Sequence, residues 1–464
     1  MRDYKTPGVY IEEIPKLTPS IASVETAIPA FIGYTQKAQL KESSDLLLKP
    51  KRITSMLDYE SYFGGPDPET TITVTIDTTQ TSKVDVQANV AIPSNYLMYY
   101  SMQMFFINGG GLCYIVSVGG YTDDGVIRES ELSKGLIEVA KEDEVTLILF
   151  PDGLNITSAG YYYALYKEAL DQCFLLKDRF AVMDVWIDPD TTIDNIKVLH
   201  DFDFGPVDTM KYGAVYYPKI FTSIDYAFDK NLVTIVGIGD ATLSGTLDEL
   251  KSKNNSFYCM VLNAITNIEM ILPASCAVVG KYAQVDSARG VWKAPVNVGI
   301  DFAIKPSITL TDHAQALLNG DTKLGKYINV IRSFPSRGPA LIWGARTLAG
   351  YDNEWRYIPV RRFFNMAEKS IKNATKQFVF EPNDRNTWVR VKSMTENYLT
   401  KQWKAGALMG ISTKEAFYVH VGLGETMTEL DIRKDHMIVE IGMAMVRPAE
   451  FIIFRFMHKM LCKS

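Results

Sequence analysis

Apolar and polar positions along the chain change period several times, and each change marks an element. Ala30-Phe31-Ile32-Gly33-Tyr34 is a short apolar run behind Pro29, and it reads as a strand because Pro29 limits helix there. From Thr71 to Ile92 apolar residues recur at every second position: Ile72, Val74 and Ile76, then Val84, Val86, Ala88, Val90 and Ile92. The polar stretch from Asp77 to Lys83 between them makes this a β-hairpin inserted at the surface. From Tyr96 to Tyr217 the period alternates. Helices are predicted over 96–107, 129–140, 158–176 and 193–200, and strands over 112–118, 145–150, 180–186 and 213–217. That alternation predicts βαβ units around a helix-covered sheet. Residues 222–258, broken by Gly237, Gly239 and Gly245, read as a local excursion, and 327–331 as a strand. Beyond Tyr351 the pattern predicts two helices to about Ala405, strands over 417–421 and 437–446, and an apolar, β-prone stretch from Glu450 to Met457.

Composition narrows the class. The chain has 464 residues, 47% apolar and 22% charged, and at about 100–200 residues per domain that predicts two to four domains. No run of about 18 apolar residues is present, so no membrane span is expected. Met1-Arg2-Asp3-Tyr4-Lys5-Thr6-Pro7 carries no apolar signal core, so no secretion signal is expected. Cys113, Cys173, Cys259, Cys276 and Cys462 are scattered and form no CxxC pair, which argues for a reducing compartment and against a disulfide framework. The net charge of −6 argues against general nucleic-acid binding. It is unevenly divided: 351–464 carries 18 lysines and arginines against 13 acids, a net of +5, and the remainder carries −11. Such asymmetry points to segment-specific partners.

The candidate chemistry is thin. Gly320-Asp321-Thr322-Lys323-Leu324-Gly325-Lys326 fits GxxxxGK, but Tyr327 stands where a phosphate loop needs Ser or Thr for magnesium, and a strand follows in place of a helix. Gly109-Gly110-Gly111 runs from helix to strand, so no helix N-terminus faces it and a tight turn is expected. His200, His313, His420, His436 and His458 show no metal-ligand spacing. Asp184/Asp188 and Asp201-Phe202-Asp203 pair carboxylates without a partner motif, and no GxSxG elbow surrounds any serine. No catalytic, cofactor or metal site is expected.

The helix opening at Pro359 says more. Val360, Phe363, Ala367, Ile371, Ala374 and Phe378 form one apolar stripe. Arg362, Asn365, Lys369, Lys372 and Lys376 form a polar, basic stripe on another face. Between Arg356 and Lys404 there are 11 basic residues and 4 acidic ones, which fits first a solvated surface face of the helix and, as the alternative, docking onto an acidic partner. The two ends, Val9-Tyr10-Ile11 and the stretch from Phe451 to Met457, are extended and apolar, fitting either closure of the chain's own sheet or donation to neighbouring copies.

These segments resemble the contractile tail sheath family of contractile phages, R-type pyocins and extracellular contractile injection systems. The resemblance rests on PGVYIEE at 7–13 followed by TAIPAFIG at 26–33, FFINGGGLCY at 105–114, DSARGVWKAPVN at 286–297, GPALIWGARTL at 338–348, WRYIPVRR at 355–362, FEPN at 380–383 and RPAEF at 447–451. Their order and spacing agree along the whole chain.

The resemblance implies a fold class of α/β (α+β): a conserved inner domain formed by the N- and C-terminal segments, inserted α/β and β-hairpin outer domains, and extended terminal β-arms. The expected division is an N-terminal arm at 1–20, the first part of the inner domain at 21–64, the hairpin insertion at 65–95, outer domains at 96–350, the tube-proximal inner domain at 351–446 and a C-terminal arm at 447–464. It also implies a structural subunit, not an enzyme and without cofactor, that stacks in rings of six around an inner tube and contracts to drive that tube through a target envelope. Implied partners are other copies, the inner tube protein, and baseplate and terminal cap proteins, with no nucleic acid and no membrane insertion. Arg362, Lys369, Lys372 and Lys376 are the expected tube contacts; Val9, Tyr10, Ile11, Phe451, Ile453, Phe454 and Phe456 are the expected inter-subunit arms, with Pro15, Pro19 and Pro448 as joints. An injection system assembled in the bacterial cytoplasm, then extracellular or membrane-anchored, is favoured over a phage tail. An α/β nucleotide-binding enzyme built on 320–326 is the alternative from another class.

Overall fold

The computed structural model describes residues 20–79, 84–122, 124–187, 194–319 and 326–450. Within them the chain forms two compact units, one of residues 25–366 with 447–450, the other of residues 20–24 with 367–446.

The larger unit is organised by a nine-stranded sheet. From edge to edge it runs Val298–Gly299, Gly338–Trp343, Ile328–Phe334, Gly213–Tyr217, Phe180–Asp184, Leu147–Leu149, Pro29–Tyr34, Cys113–Gly119 and Lys51–Ile53. The six consecutive strands from Ile328–Phe334 to Cys113–Gly119 are parallel, and the outer pairings are antiparallel. Central strands are buried on both faces, which is why they read as continuous apolar runs. Alternate residues feed two cores. Ala30 and Ile32 meet Leu132, Leu136 and Tyr166 on one face, and Phe31, Leu147 and Val182 meet Phe105, Val278 and Tyr282 on the other. The α/β class and βαβ alternation expected from the sequence are thus present.

Two buried carboxylates tie helices to this sheet. Asp152, just beyond Leu147–Leu149, accepts from the backbone N–H of Tyr34 (2.7 Å), Leu97 (2.6 Å) and Met98 (2.9 Å). Asp184 accepts from the N–H of Ala274 (3.0 Å) and Ser275 (3.1 Å). Helices Met98–Ile107 and Ala274–Arg289 have no side-chain cap of their own, so these aspartates satisfy their first donors from the strand ends.

The hairpin forms as expected, with Ile72 opposite Val90, Val74 opposite Ala88 and Ile76 opposite Val86. It is not an isolated insertion, however. Thr234–Ile238 pairs parallel to Ile72–Asp77, and Gly245–Thr246 completes a four-stranded sheet. Helices Leu247–Lys253 and Asn255–Thr266 cover it through Leu247, Leu250, Val261 and Ile265, packed on Ile72, Val74 and Ile76. The excursion and the hairpin are therefore one module. A lone hairpin cannot bury its apolar face, and the later segment supplies the cover.

The smaller unit holds the last part of helix Ile358–Thr375, helix Arg385–Lys404 and the antiparallel pair Phe417–His420 with Glu440–Met443. Val24 N–H donates to Ser370 Oγ (3.0 Å), and Gln402 donates to Ser23 Oγ (3.2 Å), so residues from both ends of the sequence meet here. The sequence-based inner domain spans 21–64 and 351–446. In the structure residues 25–64 and 351–366 pack with the larger unit.

Glu69 sits where the module joins the sheet unit. Its N–H donates to Ala227 O (2.8 Å), and both carboxylate oxygens accept from Ser94 N–H (3.1 Å each). Burial pushes its carboxyl from the ordinary 4.5 up to about 7, Asp67 adds to the rise and the Ser94 N–H opposes it. The folded chain therefore retains a proton that the unfolded chain releases, so Glu69 stabilises at low pH and loses that contribution as pH rises through about 7. Denaturant midpoints measured between about pH 5 and 8 should fall with rising pH in the wild type and less steeply in Glu69→Gln; equal slopes would contradict this protonation.

Candidate functional site: the basic helix and its anchor

Helix Ile358–Thr375 begins inside the larger unit, with Ile358 N–H on Ala345 O (2.9 Å). Arg362 is 3% exposed and forms a two-pronged ion pair with Asp286: Nη2 to Oδ2 at 2.5 Å and Nη1 to Oδ1 at 3.1 Å. Thr26 Oγ1 donates to the same carboxylate (2.6 Å), and Arg362 Nη2 donates to Thr26 O (3.0 Å). The guanidinium lies 4.6 Å from the Tyr282 ring centre, and Tyr282 OH bonds Tyr216 OH at 2.5 Å on the central sheet. Arg361 stacks between Tyr212 (4.8 Å) and Trp355 (4.6 Å) and donates to Asn365 Oδ1 (2.8 Å), whose amide reaches Arg179 O (3.1 Å).

This corrects one sequence-based placement. Arg362 and Asn365 are not on a solvated basic face; both are buried within the sheet unit. A planar guanidinium matches a carboxylate in two parallel bonds, and nearby rings shield it. Periodicity alone does not separate such an arginine from an exposed one. Further along, Lys369 is half-buried, and Lys372 and Lys376 are exposed, where the helix's C-terminal dipole favours cations. The remaining predicted contacts, Val9, Tyr10, Ile11, Phe451, Ile453, Phe454 and Phe456, lie outside the described residues, as do the joints Pro15 and Pro19.

Several of the sequence motifs make long-range contacts that the sequence alone did not reveal. Asp286 of DSARG holds Arg362 of YIPVRR. Arg346 of GPALIWGAR holds Glu450 of RPAE, with Nε to Oε1 at 2.9 Å, and lies over the Tyr327 ring at 4.7 Å. Asn108 of FFINGG accepts from Asp301 N–H (2.8 Å) and donates back to Asp301 O (3.2 Å). The following Gly109 has φ +94° and a Cβ there would stand 2.9 Å from Gln284, so the glycine run makes the expected turn.

The rival nucleotide reading finds no support in its lysine. Lys326 is buried and donates to the carbonyls of Leu199 (3.3 Å), His200 (2.5 Å) and Phe202 at the end of helix Asp194–Asp201; residues 320–325 lie outside the described set. Of the paired carboxylates, Asp184 is the helix cap above, Asp201 and Asp203 are exposed, and Asp188 is outside the described residues. Among the described residues no three His, Cys, Asp or Glu side chains gather for a metal, and no helix is long and apolar enough to cross a membrane.

Comparison with known proteins decides the family. The phage tail sheath C-terminal domain matches residues 351–458. The sheath complex of the extracellular contractile injection system PVC, in its contracted state, is 30% identical with a TM-score of 0.65, covering 99% of both chains. A chain of the contracted helical sheath of the anti-feeding prophage is 30% identical with a TM-score of 0.66, covering 98% of this chain and 100% of that one. A chain of the six-fold symmetrised baseplate of the same prophage matches with the same identity, score and coverage. The chain belongs to the contractile tail sheath family. No curated protein sequence matches it. As a sheath protein it belongs to a structural family, and its relatives occur in oligomeric sheath and baseplate assemblies of contractile particles.

The anchor makes a stability prediction. Asp286→Ala leaves a buried guanidinium uncompensated and should lower unfolding free energy by about 3–5 kcal/mol. Adding Arg362→Met should recover much of that loss in chemical denaturation. A single-variant loss below about 1 kcal/mol would show that the pair does not hold the helix.

Proposed function

We propose that this chain is the sheath subunit of an extracellular contractile injection system, stacked six to a ring around an inner tube and contracting to drive that tube through a target envelope. The observation that carries the reading is the end-to-end match to sheath chains in the contracted state, at 30% identity over 98–99% of this chain. Assembly takes place in the bacterial cytoplasm, before the particle is released or anchored. A baseplate sets off contraction, a cap protein closes the far end, and the energy comes from subunit interfaces, so no enzyme activity or cofactor is required.

The tube contact in this reading is the exposed end of helix Ile358–Thr375, Lys369, Lys372 and the following Lys376, in the tube-proximal part of residues 351–446. Exposed lysine–carboxylate pairs contribute on the order of 0–1 kcal/mol each. Weak individual contacts suit a sheath that must release its tube, and repetition over many subunits still favours the extended lattice. The terminal segments, with Val9, Tyr10 and Ile11 at one end and Phe451, Ile453, Phe454 and Phe456 at the other, act as arms that pair as strands with neighbouring copies, jointed at Pro15, Pro19 and Pro448. The small unit supports that reading: among the described residues the outer edge of Glu440–Met443 pairs with no strand, and open edges invite strand addition. Backbone pairing of this kind survives rotation of the subunits.

Reversing charge at both exposed lysines, Lys372→Glu with Lys376→Glu, should lower the melting temperature by only a few degrees, through the helix dipole, and prevent extended sheath from forming on the tube. Electron microscopy of normal extended particles from the double variant would refute the tube contact.

A further inference from the structure

The turn after the basic helix carries an aromatic residue in an uncommon setting. Phe380 is fully exposed, and its backbone lies in the left-handed region at φ +69°. That region crowds the Cβ of a bulky residue, and such strain persists only where the surroundings impose it. Here they do. On one side Phe378 is buried beneath Arg390, with the guanidinium 5.1 Å from the ring centre, and its carbonyl accepts from Glu381 N–H (3.1 Å). On the other, Asp384 caps helix Arg385–Lys404 at Thr387 N–H (3.0 Å), Trp388 Nε1 donates to Asn383 Oδ1 (2.7 Å), and Asn383 donates to His436 O (3.0 Å). The turn is fixed while Val379 and Phe380 stand in solvent.

Basic side chains flank this tip. Glu381 is engaged by Arg390 (3.3 Å) and Asp384 by the helix cap, whereas Lys372, Lys376 and Arg385 are exposed. Phe380 follows Lys376 by four residues, a span of at most about 14 Å of chain. Exposed lysines alone hold a partner weakly. Binding energy concentrates in aromatic anchors that fill pockets, and a tip already fixed loses little freedom on docking.

We propose that Val379–Phe380 is the apolar anchor of the surface through which the basic helix end holds the inner tube, and that its partner is an acidic tube surface with an apolar pocket for one ring. This rests on the tube contact proposed above.

The test compares Phe380→Gly with the Lys372→Glu/Lys376→Glu double variant in binding to polymer reconstituted from the particle's own tube protein. Glycine accepts φ +69° without strain, so Phe380→Gly should melt at or above the wild-type temperature. Its tube affinity should nevertheless fall roughly 30-fold or more. If charge reversal weakens binding and Phe380→Gly does not, the anchor is refuted while the tube contact stands. If neither weakens it, both fall. If Phe380→Gly abolishes copy–copy association in the absence of tube, the ring belongs to a neighbouring sheath subunit and the proposal is overturned.

Discussion

A guanidinium and a carboxylate buried together, Arg362 on Asp286, seat the start of helix Ile358–Thr375 in the larger unit. The cost of removing both charges from water is offset by close pairing and by added hydrogen bonds. Thr26 supplies a hydroxyl and a carbonyl, and the Tyr282 ring lies against the cation. These groups come from three distant parts of the sequence, so they coincide in one seating of helix Ile358–Thr375.

The same logic runs through the other motifs. Arg346 with Glu450, Asn108 with Asp301, and Asp152 and Asp184 on helix N-termini all join segments far apart in sequence. Each is a polar group paired across distant segments inside a largely apolar unit, which helps to specify one arrangement. In the proposed reading, function falls to exposed charges, open strand edges and a strained tip. A particle that changes length by moving whole subunits needs each subunit to keep its own fold while its contacts change.

The main sheet was legible because its strands are buried on both faces, so Ala30–Tyr34 and Gly213–Tyr217 stand out as apolar runs between amphipathic helices. The hairpin at Ile72–Val90 was legible from strict alternation. Its partnership with Thr234–Ile238 was not, since Gly237, Gly239 and Gly245 interrupt the period and pairing between segments some 160 residues apart leaves no local trace. Likewise Ile220–Thr222, Met270–Leu272 and Ala303–Pro306 form a small sheet from strands too short to show a period. On the basic helix, the apolar stripe through Phe363 and Ala367 was read correctly from spacing. The polar stripe was not uniform: Arg362 is interior and Lys372 is exposed, although both fit one periodicity. What separates them is the carboxylate of Asp286, 76 residues away. Phe380 carried no signal either, because an apolar residue in a turn usually reads as core and only the backbone angle and exposure reveal otherwise.

In the proposed reading the chain polymerises as a sheath around a tube and meets it through the end of this helix. The most direct measurement is cryo-electron microscopy of the chain produced together with its tube protein. The expected map is a cylinder of stacked six-membered rings, with density for Lys372 and Lys376 against the tube wall. A chain that remains monomeric with tube present, or a cylinder in which that helix end faces outward, would contradict it.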